Sequence, residues 1–161
     1  MRELKLLLLC LVFVCAWSIP QPASATEPTR PEYVARLEKI CKPGTEATQR
    51  AVRGMRSDIR SERLQVAAGK FSKAKRIFAG TVGSISKVPR PAPDRDTLSR
   101  WFAALHREID YLGEIVTALR AENIARFERV QGQFARQGSR ANNIVVSFGF
   151  NYCAYKPSRF E

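Results

Sequence analysis

Apolar side chains recur at steps of three and four positions in four separate stretches, and that rhythm leaves little room for anything but helices. One series runs Leu64, Ala67, Phe71, Ala74, Phe78 and Val82. A second runs Leu98, Trp101, Leu105, Ile109, Leu112, Val116 and Leu119, and a third Phe127, Val130, Phe134, Ala141, Val145 and Phe148. A looser series precedes them at Val34, Leu37, Cys41, Val52, Met55 and Ile59. Such steps stack side chains on one face of a helix, so four amphipathic helices are predicted. Thr29 with Glu32 forms a capping box for the first, with Pro31 in its opening turn. Pro43 and Gly44 are expected to kink or briefly break that helix.

The joints between the stripes carry turn chemistry. "VPRPAPD" (88–94) is a stiff connector, and Asp94 or Asp96 can cap the helix after it. "RSERL" (60–64) and "RAENI" (120–124) resemble one another, and each is the expected tight turn of a helical hairpin. Two helical hairpins joined by a stiff linker predict an all-α, up-down-up-down four-helix bundle.

The first 25 residues are set apart from that fold. Arg2 and Lys5 precede the apolar core "LLLLCLVFVCAW", Pro20 and Pro22 break it, and Ala23-Ser24-Ala25 suits a signal peptidase. The core is shorter than the about 20 residues a membrane span needs, and Leu9 and Val14 stand where a lipobox requires a small residue. The sequence therefore predicts a signal peptide at 1–25, no transmembrane anchor, and one exported helical domain at 26–161. Only Cys41 and Cys153 remain of the four cysteines. A pair in an exported chain favours a disulfide, and in an up-down bundle the start of the first helix lies beside the end of the fourth. The aromatic run Phe148, Phe150, Tyr152 and Tyr155 around Cys153 is then a plug at one end of the bundle, with Gly149 as helix stop.

The pieces "YVARLEKICKPG" (33–44), "VPRPAP" (88–93) and "FGFNYC" (148–153) resemble a pattern found in small exported helical proteins of high-GC Gram-positive bacteria. Those proteins carry a tyrosine and "IC" near the mature N-terminus, two hairpins with a proline-containing linker, and a closing aromatic element followed by cysteine. The resemblance implies the same fold and compartment and transfers no catalytic residue.

Enzyme chemistry finds little support. His106, the single histidine, forms a row with Asp110 and Glu114 at i, i+4 and i+8, short of the ligand set that zinc or a di-iron centre needs. No nucleophile elbow, C-x-x-C or phosphate loop is present. Asn142 and Asn143 are expected to hydrogen-bond across the bundle and fix helix register. Neither a cofactor nor a metal is predicted.

Charge is the most pronounced remaining feature. Without the signal peptide, 25 basic residues stand against 14 acidic ones. Residues 63–93 contain seven Lys or Arg and no Asp or Glu. Arg53, Arg56 and Arg60 on the first helix, with Lys70, Lys73 and Arg76 on the second, define an expected anion-binding face. Anionic lipid headgroups or acidic envelope polymers fit an exported protein better than nucleic acid, whose single strands need exposed aromatics that the apolar stripes here claim. The reading is of a monomeric, secreted or envelope-associated, non-enzymatic protein that contacts an anionic partner. The competing readings are a protein-interaction module of the envelope and a basic surface that is merely solvated.

Overall fold

A computed structural model of the chain describes residues 27–156; residues 1–26 and 157–161, among them the predicted signal peptide, lie outside it. The described chain is helical throughout and contains no strand. Its elements are α1 (Arg30–Val52), α2 (Met55–Arg60), α3 (Leu64–Ile85), α4 (Arg95–Arg120) and α5 (Ile124–Ile144), with short 3-10 turns at Ala92–Asp94 and Val146–Phe148. Four long helices form the expected bundle, and α2 is a one-and-a-half-turn extension of the first.

The Thr29 box is present: the Glu32 amide donates to the Thr29 hydroxyl oxygen, and the Thr29 amide donates to the Glu32 carboxylate. Pro43 does not end α1. It removes one amide from the ladder, but the helix runs on to Val52 and breaks at Gly54, whose φ of 72° only glycine adopts freely. Gly44 has another task. A Cβ there would lie 2.3 Å from Thr81 Oγ1, so the glycine lets α1 approach α3.

"RSERL" and "RAENI" are indeed paired hairpin turns. In each, a glutamate (Glu62, Glu122) takes a positive φ. The next amide then bonds back five residues: Arg63 N donates to Asp58 O (2.8 Å) and Asn123 N to Ala118 O (3.0 Å). These are Schellman closures with glutamate in glycine's place. The Gln65 side chain donates to the Arg120 carbonyl (3.1 Å), so the two turns sit side by side at one end of the bundle.

At the other end, Asp94 occupies the N-cap of α4 without capping it through its side chain. It is buried and takes a forked contact from Arg30 Nε and Nη2. The Arg30 guanidinium also lies 4.8 Å from the centre of the Phe148 ring, joining the starts of α1 and α4 to the C-terminal aromatics.

Helix packing runs α1 on α3, α3 on α4, and α4 on α5, while α1 and α5 share no comparable seam. Buried apolar residues correspondingly fall into two clusters. One gathers Leu37, Val82, Ile85, Leu98, Trp101 and Phe150; the other gathers Leu64, Phe71, Ile115, Leu119, Phe127 and Val130 near the hairpin turns. Phe78 packs against both.

Cys41 and Cys153 form the expected disulfide, 112 residues apart in sequence. Closing so long a loop stabilises a fold by about 4–5 kcal/mol on chain-entropy grounds. Replacing both cysteines by serine is expected to lower the unfolding free energy by an amount approaching that figure, read from urea melts of the oxidised protein and the variant. Superimposable melts would show that the closure restrains nothing.

Candidate functional site

Where that seam is missing there is a groove of about 430 Å3. Small or polar side chains of α1 (Thr45 and Thr48) and of α5 (Ala135, Ala141 and Asn142) line it beside the bulkier Val52, Phe127 and Phe134. Its floor is built by Phe71, Phe78 and Val82 of α3 with Leu105, Leu112 and Ile115 of α4. Between Phe71 and Ile85 the α3 floor extends about 21 Å at 1.5 Å per residue. The volume lies within the range of about 300–1,000 Å3 typical of small-molecule sites.

The C-terminal segment roofs one end of the groove. After Gly149 turns the chain at φ 65°, Phe150 stacks on Trp101 with centroids 5.2 Å apart. The amides of Asn151, Tyr152 and Cys153 then converge on the Glu38 carboxylate at 2.9–3.3 Å. Such a nest of amides around one carboxylate fixes the path of the backbone. Thr45 Oγ1 donates to the Tyr152 carbonyl (3.0 Å), and the disulfide follows. Asn142 completes the strap: its Nδ2 donates to Tyr155 O (2.6 Å), and its Oδ1 accepts from Tyr155 N (2.8 Å). The Tyr155 ring settles over Gly138, where a Cβ would lie only 2.8 Å from its Cδ1. Asn142 thus holds the C-terminal tail and not a neighbouring helix, while Asn143 is exposed.

In this apolar floor sits one carboxyl. Glu108 is 3 % exposed, and its Oε1 has no hydrogen-bond partner among the described residues. Burial alone pushes its pKa from 4.5 up to about 8, so it is a neutral acid at pH 7. Nearby, burial and the Glu108 carboxyl raise the Tyr155 phenol, against an opposing influence from Arg56.

The six basic residues of the expected anion-binding face have different surroundings. Arg56 and Arg60, one turn apart on α2, are exposed and line the groove, so they stand at its rim. Lys70 is engaged in structure: its Nζ donates to the buried Asp58 carboxylate and to the Arg53 carbonyl (2.7 Å), while Arg63 holds the other Asp58 oxygen. Lys70 and Arg63 together hold the Asp58 carboxyl below its ordinary range. Arg53, Lys73 and Arg76 are exposed, and Arg76 donates to Ser72 Oγ on its own helix (3.0 Å). Of the six, Arg56 and Arg60 alone are brought to the groove.

His106 and Asp110 are exposed on the outer side of α4, and no group of three or more His, Cys, Asp or Glu side chains suited to a metal occurs among the described residues. The apolar stripes included Phe71, Phe78, Phe127 and Phe134, and all four line the groove. Glu108 escaped the sequence reading, although a signal was present. It lies three residues after Leu105 and four before Leu112, a charged residue in a stripe position. No protein-family model, curated protein or solved structure matches this chain.

A carboxyl protonated in the fold and ionised in the unfolded chain weakens the fold as pH rises. The loss begins near 4.5, grows by about 1.4 kcal/mol per pH unit, and levels off near pH 8. Glu108→Leu is therefore expected to melt higher than the wild-type protein, with a margin that widens from pH 5 to pH 8. Thermal melts across that range check it; a constant margin would contradict the protonated state.

Proposed function

We propose that this chain is an exported, non-enzymatic binding protein that takes the apolar body of an anionic amphiphile into the groove between α1 and α5. The observation that carries this reading is the pairing of a long apolar cavity with the two guanidinium groups of Arg56 and Arg60 at its open rim. An apolar chain laid along Phe71, Phe78, Leu105 and Leu112 gains about 0.8 kcal/mol for each methylene removed from water. An anionic head at the rim gains charge-assisted hydrogen bonds from planar donors suited to carboxylate or phosphate.

The expectation of an anionic partner is thus narrowed from a broad face to one rim, and lipid-type headgroups are favoured over wall polymers because the cavity is apolar. The disulfide supports an oxidising compartment. Among the described residues no helix is long and apolar enough to cross a membrane. The likeness to small exported helical proteins points the same way.

Titration of the oxidised protein with a pyrene-labelled acyl carboxylate is expected to show saturable one-to-one binding, reversed by stearate and not by stearylamine. Reversing charge at the rim (Arg56→Glu with Arg60→Glu) should weaken stearate binding by roughly tenfold to a hundredfold, the value of one charged hydrogen bond. The same change at Lys73 and Arg76, on the exposed face of α3, should leave it nearly unaltered. Equal losses from the two pairs would mean that net charge alone attracts the ligand and would overturn the reading.

A further inference from the structure

A buried carboxyl with one unpaired oxygen on the apolar floor of the groove has a direct consequence for what the groove accepts. The lining threonine hydroxyls are already used: Thr48 donates to the Gly44 carbonyl, Thr81 to the Ile77 carbonyl and Thr45 to the Tyr152 carbonyl. No described side chain supplies a partner for Glu108 Oε1. Oε1 is already shut off from water in the free protein, and a plain hydrocarbon chain lying over Glu108 offers it nothing. Leaving such a group unsatisfied costs about 1–3 kcal/mol, whereas a ligand oxygen within reach recovers that loss. Sites of this kind discriminate strongly, because rejection comes from the stranded polar group.

We propose that Glu108 is the specificity-determining residue of the groove, and that it selects an acyl anion carrying a hydroxyl or keto oxygen part-way along its chain. The proposal rests on the amphiphile reading above and deepens it. The geometry places that oxygen within the chain, away from both its ends. Glu108 lies near the middle of the floor, between Leu105 and Leu112. The charged head is held at the Arg56–Arg60 rim, and the apolar Ile85 and Cys41 lie towards the strapped end. A neutral carboxyl suits the task because it both donates and accepts, so it pairs with either oxygen function and adds no charge to the groove. A cationic ligand group is disfavoured by the two rim guanidiniums it would have to pass.

Calorimetric titration of the oxidised protein with stearate and with monohydroxystearates differing only in hydroxyl position tests this. At least one isomer hydroxylated within the chain is expected to bind about tenfold tighter than stearate or more. Glu108→Leu should abolish the preference by weakening that isomer to the level of stearate, while Glu108→Gln, which keeps a donor and an acceptor, should retain much of it. Equal affinities for stearate and every isomer would overturn the proposal and leave the groove reading standing. A preference that survives in Glu108→Leu would overturn the assignment to Glu108. Binding of none of these probes would overturn both readings.

Discussion

The first and last long helices share no packing seam, and the rest of this structure follows from the space between them. Thr45 and Thr48 on α1, with Ala135, Ala141 and Asn142 on α5, line part of that space, where larger side chains would narrow it. The chain compensates at one end only. Its C-terminal segment folds back over the space, held by the disulfide, by the amide nest around Glu38 and by the forked contact from Asn142. Beyond Tyr155 the groove is lined by the exposed Arg56 and Arg60. What is missing from the packing is therefore what forms the site, and the strap roofs one end of it.

The two apolar clusters show how the bundle tolerates such a gap. Each end has its own packed centre, around Trp101 on one side and around Phe127 on the other, and Phe78 touches both. Leu105 belongs to the first centre and Leu112 to the second, so the groove floor runs through the middle where they meet. Glu108 lies in that middle, where a leucine would stabilise the fold more. A carboxyl kept neutral by burial, at a cost that rises with pH, is the kind of local rule-breaking that accompanies binding sites. The Asp58 carboxyl has the opposite environment. Buried beside Lys70 and Arg63, it is held in its charged form and locks α2 to the start of α3. One buried acid serves the fold and the other leaves it weaker.

Much of the architecture was legible in the sequence. The apolar stripes marked the four long helices, "RSERL" and "RAENI" marked the hairpin turns, and the lone pair Cys41 and Cys153 marked the closure. The groove was not, because periodicity reports where apolar residues lie and is blind to how far apart the helices stand. Spacing across a bundle is set by residues such as Gly44 and Gly138, which enter no hydrophobic pattern and look like breaks. The Pro43–Gly44 pair illustrates the point: it promised an interruption, yet α1 continues and Gly44 admits Thr81 of α3. Charge misled in a related way, since a row of basic residues on paper does not reveal that Lys70 is occupied by Asp58. Glu108 was readable in principle, as a carboxylate in a stripe, and needed the groove to give it meaning.

The central claim is that an acyl chain enters the bundle and does not merely adhere to its surface. Intermolecular nuclear Overhauser effects between carbon-labelled stearate and the methyl groups of the oxidised protein test this most directly. The account expects contacts from the chain to Val82, Leu105 and Leu112 on the groove floor. Contacts confined to Val66, Ile124 and Val146, which are exposed on the outside of the molecule, would contradict it.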